Sequence, residues 1–163
     1  MANFDYLKDI REMQSIYPDC IYAEQKQLLE PDMSVVAARR ALEKWVKIVY
    51  LVNGWEIPER AKLLELTDFL PFREQQGWEL MRRIDYVRKI GNIGAHGGHV
   101  KKIESFFAVL NLYEVIGSYL RSMRVIEDYA PFDKTLIPSH RVPTLVPANT
   151  GELIAPKDVS RLA

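Results

Sequence analysis

Proline is spread unevenly along the 163 residues, and its placement limits the possible folds more than any other feature. Five of the nine prolines (Pro131, Pro138, Pro143, Pro147 and Pro156) fall after Arg124. Each removes a backbone donor and fixes its own φ, so residues 125–163 cannot form one long helix. They read as an extended proline-rich C-terminal arm or linker, with a short β piece around Thr144–Val146. Such an arm is expected to pack on its own domain or on a neighbouring copy. Residues 1–124 carry helical patterns instead and form the domain proper.

Within that body, Asp32 follows Pro31 as a plausible N-cap, and Val35, Ala38, Leu42, Trp45, Val46 and Val49 recur at helical spacing until Asn53-Gly54. Pro58 suits the first turn of a helix carrying Ala61, Leu64 and Leu66. Trp78, Met81, Ile84, Tyr86, Val87 and Ile90 support a further helix that meets a glycine cluster at Gly91. The longest pattern runs from Val100 to Arg124, with Ile103, Phe107, Leu110, Tyr113 or Glu114, Gly117 and Leu120 along one side. At the front, Phe4–Tyr17 and Asp19–Glu30 read as two shorter helices split by Pro18. The expected fold class is all-α, a bundle of five or six helices. Its central helices are Asp32–Val52, Trp78–Ile90 and Val100–Met123, with Trp45, Val49, Ile84, Val87, Phe107 and Leu110 in the core.

Composition narrows the function classes. Hydrophobic residues make up 48% and charged residues 27%, which fits a globular chain. Twenty-two basic residues balance 22 acidic ones, so a nucleic-acid or membrane partner would need a local patch. A single cysteine, Cys20, leaves no disulfide framework and no multi-cysteine zinc site. The opening MANFDYLKDIREM lacks an apolar signal core, and no apolar stretch is long enough to span a bilayer. The expected setting is therefore cytoplasmic. The ending Val-Ser-Arg-Leu-Ala, with no closing helix, suggests continuation beyond Ala163.

Chemistry-bearing residues concentrate in Arg88-Lys89-Ile90-Gly91-Asn92-Ile93-Gly94-Ala95-His96-Gly97-Gly98-His99, which holds four of the eight glycines and two of the three histidines. Glycines near Arg88 and Lys89 could admit a phosphate, but the spacing matches neither a Walker A loop nor a dinucleotide fingerprint. A tight helix–helix crossing explains them better. His96 and His99 stand three apart, with glycines between and no carboxylate or cysteine nearby, so no metal site is expected. Arg82, Arg83, Arg88, Lys89, Lys101 and Lys102 face only one acid, Asp85, between residues 82 and 102. With Arg39, Arg40, Lys44 and Lys47 they suggest a basic face suited to phosphate neutralisation. Pro31-Asp32 with Glu43 and Lys44 lies on one helix and so is no metal-nuclease core. No serine or cysteine nucleophile has a visible base.

Three separated segments resemble a known family. They are Phe4-Asp5-Tyr6-Leu7 with Ala23-Glu24, then Pro31 and Ala38–Lys47, then Arg88-Lys89-Ile90-Gly91-Asn92 with Ala95-His96-Gly97. Their order and spacing are similar to a helical domain of unknown function at the amino terminus of the R subunits of type I restriction enzymes, a domain of the wider HEPN class. The resemblance covers about residues 3–124. It implies an HEPN-like bundle followed, after the arm, by a nuclease domain and helicase-like ATPase lobes of an ATP-dependent restriction endonuclease.

Nothing of that machinery lies in the chain itself, so the resemblance implies a non-catalytic accessory module with no cofactor of its own. Its partners would be other subunits of a restriction–modification complex, non-specific DNA or RNA through Arg82, Arg83, Arg88, Lys89, Lys101 and Lys102, and a second copy in a homodimer. Catalytic HEPN members carry an arginine, a polar residue, and a histidine four residues beyond the polar one. Asn92 and His96 match the last two elements, but Gly91 stands where the arginine belongs. RNA cleavage needs a general base and a cation for the phosphorane charge, and Gly91 supplies no cation. The expectation is therefore a silent site, with Asn92 and His96 exchanging hydrogen bonds at the helix crossing. The alternative is a HEPN-type ribonuclease or toxin-like domain that uses His96 and Asn92 with Arg88 as the replacement cation.

Overall fold

A computed structural model of the chain describes residues 1–139. Among the described residues there are five α-helices, three short 3-10 segments and no strand. The helices are α1 (Tyr17–Lys26), α2 (Pro31–Asn53), α3 (Leu63–Asp68), α4 (Leu70–Ala95) and α5 (Lys102–Ser122). The expected β piece at Thr144–Val146 lies outside the described residues, as do Pro143, Pro147 and Pro156.

The middle of the bundle is α2, which packs against α1, α4 and α5. Pro31 opens it at a position where the missing N–H costs nothing, and Gly54 closes it at φ 70°, a left-handed turn that suits glycine. Val35, Ala38, Leu42, Trp45, Val46 and Val49 are all fully buried, as their spacing predicts. Trp45 sits at the aromatic centre, edge-on to Phe72 and Tyr119.

The α4 helix is longer than the expected Trp78–Ile90 and is interrupted at Gly77, whose φ of 83° and ψ of 159° are open to glycine alone. Gly91 and Gly94 do not end it but carry it across α2. A Cβ at Gly91 would collide with Arg39 Cβ, and one at Gly94 would lie 2.8 Å from the Asp32 carbonyl oxygen. Glycine here serves closeness between helices, so no phosphate loop forms.

Two expectations about helix ends and one about a helix face need correction. Pro18 does not split two helices; it sits in the first turn of α1, and residues before it form 3-10 segments Asn3–Asp9 and Arg11–Met13. Pro58 starts only a turn, closed by Ala61 N–H donating to the Pro58 carbonyl, and the short helix begins at Leu63. On α5 the expected stripe splits: Ile103 and Phe107 are exposed and Leu110 is half-buried, whereas Tyr113, Gly117 and Leu120 further along are buried. The buried side carries Ala108, Val109, Leu112, Tyr113, Val115, Ile116 and Leu120. Both sides of α5 are apolar, so periodicity alone favours neither.

Buried serines close the gaps between helices. Ser34 of α2 donates to the Ala23 carbonyl at 2.7 Å, and Ser105 of α5 donates to the Gln27 carbonyl. Past α5, Arg124 takes a left-handed φ of 59° and turns the chain back over the bundle. Tyr129 lies on Gly117, where a Cβ would come within 2.8 Å of its ring, and Phe132 packs edge-on to Tyr113. The chain closes on its own start: Asp133 N–H donates to Asn3 Oδ1 at 2.7 Å, and Asn3 Nδ2 donates to the Asp133 carbonyl at 3.0 Å.

Candidate nucleic-acid interface

The α4 and α5 helices run antiparallel, since Arg83 bonds Asn111 while Tyr86, further along α4, bonds the carbonyl of Glu104, earlier on α5. Their outer sides form an open groove of about 630 Å³. Arg82, Arg83 and Lys89 line it from α4 and Asn111 from α5, with Glu79, Asp85 and Tyr86 between them. Arg83 Nη1 donates to Asn111 Oδ1 at 2.7 Å, which holds that guanidinium along the groove wall. Arg82 and Lys89 make no ion pair among the described residues. Burial pushes the Tyr86 phenol above its ordinary value and the Glu104 charge adds to this, so Tyr86 is a neutral hydroxyl at physiological pH.

The other sequence-expected cations divide between the groove's margin and the interior. Lys101 is exposed just before α5 and Lys102 is half-buried at its start; neither lines the groove. Arg88 is only 8% exposed, with Nη2 3.7 Å from Asp85 Oδ1 and no acceptor for its Nε. It sits inward because its position on α4 turns toward the bundle, so it is no surface phosphate ligand. Asp85 is held by Arg73 as well, at 3.8 Å, which offsets its charge beside the groove. The four cations of α2 do not extend the basic face. Arg40 and Lys44 both grip Asp19, at 2.9 and 2.8 Å, while Arg39 and Lys47 flank Glu43.

The glycine-rich end of α4 differs from expectation. His96 follows the last helical residue and is exposed, as is His99. Among the described residues the Asn92 amide and the His96 imidazole make no hydrogen bond, so the helix crossing rests on Gly91 and Gly94 and not on these polar groups. Arg88 stands eight residues before His96, roughly 12 Å along the helix axis. No three His, Cys, Asp or Glu side chains converge as metal ligands among the described residues. Cys20 is fully buried and its thiol is pushed well up by that burial, which leaves no nucleophile there.

Periodicity also misplaces Trp78. Read as one of the apolar positions of its helix, it is 68% exposed. The Arg82 guanidinium stands 5.6 Å from its ring centroid. A second concavity of about 520 Å³ lies beside it, lined by Trp78, Ser118, Arg121 and Ser122, and Glu79 borders both hollows. The signal available in the sequence was the four-residue spacing of Trp78 and Arg82, which places them on one helix face.

Among the described residues no helix is long and apolar enough to cross a membrane. No protein-family model, curated protein or solved structure matches the chain.

Proposed function

We propose that the chain is a non-catalytic, HEPN-like accessory module at the amino terminus of a type I restriction R subunit, contacting nucleic acid without sequence preference and docking to its partner subunits. The observation that carries the nucleic-acid part is the α4–α5 groove, where Arg82 and Lys89 are unpaired and Arg83 is held in place by Asn111. Unpaired cations over a shallow groove gain most from phosphate, because no internal ion pair has to break first. The silent-site part is supported by Gly91, whose side-chain space is filled by the Arg39 stem, and by Arg88, which burial and Asp85 withhold from His96. The module needs no cofactor in this role. The arm would lead to the nuclease and helicase lobes of the whole enzyme.

A second reading keeps one observation in its favour: the His96 imidazole is exposed and unbonded. It would make the domain a HEPN-type ribonuclease using His96, Asn92 and Arg88. Titration of the full chain against labelled duplex DNA and RNA over a range of salt separates the two. The accessory reading expects weak binding, no RNA cleavage, and a salt slope reduced by about two charges' worth when Arg82 and Lys89 are both changed to Ala. Arg88→Ala should leave that slope alone. RNA cleavage that disappears in His96→Ala, at an unchanged melting temperature, would refute the silent site.

A further inference from the structure

We infer that the α4–α5 face takes single-stranded nucleic acid, with a base stacked on the Trp78 indole and the phosphates beyond it met by Arg82, Arg83 and Lys89. This rests on the nucleic-acid reading above and narrows it to a strand whose bases are unpaired. A duplex presents phosphates to such a groove but keeps its base faces stacked inside, so it has no use for a flat exposed indole. An unpaired base has a free π-face and stacks on aromatic rings whatever its identity.

Three features set Trp78 apart from an incidental surface residue. It follows directly on Gly77, whose glycine-only backbone redirects α4 at that point and starts the helix again under the indole. Its ring is oriented by Arg82 at 5.6 Å, yet the residue remains 68% exposed, so a base has a free face to stack on. It also lines the hollow of Ser118, Arg121 and Ser122, and the next residue, Glu79, borders that hollow and the groove of the cations alike. The alternation of an aromatic platform with unpaired cations is what a single strand needs.

Dimensions fit a short strand. Trp78 and Lys89 are eleven residues apart on α4, roughly 16 Å along the axis. At about 3.4 Å per nucleotide for a fully stacked strand, the closest spacing it takes, that distance spans at most about five nucleotides. Glu79 is the one opposing group, since it borders both hollows and forms no ion pair among the described residues, while the Asp85 charge is taken up by Arg73 and Arg88.

The test is fluorescence anisotropy of the full chain with labelled oligo-deoxythymidine and with a blunt duplex of equal length, both at low salt. Trp78→Ala should weaken oligo-deoxythymidine binding by about five- to a hundredfold and leave duplex binding within about twofold. Trp78→Phe should restore most of the loss, and Glu79→Gln should tighten both ligands. Affinity should rise with oligonucleotide length and level off beyond about five or six nucleotides. Equal losses on both ligands in Trp78→Ala, or no loss on the single strand, would overturn the inference. If the duplex binds and responds to Arg82→Ala and Lys89→Ala while Trp78→Ala changes nothing, the inference fails and the accessory reading stands. Failure of both ligands to bind at low salt removes both.

Discussion

The Glu24 carboxylate, with no exposure to solvent, accepts the backbone N–H of Phe4 at 3.1 Å and so ties the first residues of the chain to α1. It also accepts Asn3 N–H at 2.7 Å and Asn3 Nδ2 at 3.0 Å. Three donors compensate a buried carboxylate for the water it has lost. Glu24→Ala would orphan all three donors and should lower unfolding free energy by about 2–4 kcal/mol. Glu24→Gln keeps one acceptor and should cost about half as much. Urea denaturation at neutral pH measures both, and an alanine variant within about 0.5 kcal/mol of the parent would contradict the assignment.

The crossing of α4 over α2 predicts its own mutational pattern. Gly94→Ala drives a methyl group against a backbone carbonyl at Asp32, which cannot swing aside, and against Val35 Cγ2 at 2.6 Å. Gly91→Ala meets the rooted part of the Arg39 side chain. Each should cost about 1–3 kcal/mol through overpacking. Alanine normally stabilises a helix relative to glycine, so a gain in melting temperature from either change would mean the helices stand further apart.

On α5, the two apolar sides make a direct comparison. Leu112 is fully buried, and Leu112→Ala should cost about 2–5 kcal/mol. Phe107 is 42% exposed, and Phe107→Ala should stay within about 1 kcal/mol of the parent despite removing the larger side chain. Equal losses in thermal unfolding would reverse the face assignment.

Acid sensitivity should centre on Asp19. Burial pushes its carboxyl up, but hydrogen bonds from Lys44 and Arg40 outweigh that and hold it below the ordinary carboxylate value. A group whose folded value is lowered stabilises the protein fully above its unfolded value, about pH 4, and loses that contribution as pH falls through the folded value. Asp19→Asn should therefore be less stable at pH 7 and show a shallower loss of stability below about pH 4. Asp5, lowered chiefly by the Tyr17 hydroxyl, adds a smaller decline in the same range. Parallel pH profiles for the parent and the Asp19 variant would rule out this role.

Much of the fold is readable in residue order because local chemistry and packing agree. Pro31 and Asn53-Gly54 bracket α2 by backbone constraint, and its single apolar stripe has only one way to be buried. Periodicity fails on α5 because Ile103 and Phe107 form a second stripe as apolar as the true one, and only the neighbours of Ala108 and Leu112 decide between them. It fails before α1 because 3-10 turns lack the 3.6-residue repeat, and the buried Glu24 that organises them has a partner 21 residues away. The groove cations Arg82, Arg83 and Lys89 stand out as a basic cluster, whereas the burial of Arg88 depends on helix phase toward α2. Trp78 was hidden by its own hydrophobicity, which in a helical stripe signals burial.

The two hydrogen bonds between Asn3 and Asp133 join positions 130 residues apart and so bring both edges of the described domain to one point. Phe132, next to that point, rests on Phe106 and Tyr113. At 100° per residue, those positions lie about 140–160° around α5 from Asn111, on the side away from the groove. Residues 1–2 and 134–139 therefore flank one point on the surface, and the buried Ile137 holds the chain to the domain beyond it. Both described ends thus sit on the face opposite Arg82, Arg83 and Lys89, and neither of them lines the groove.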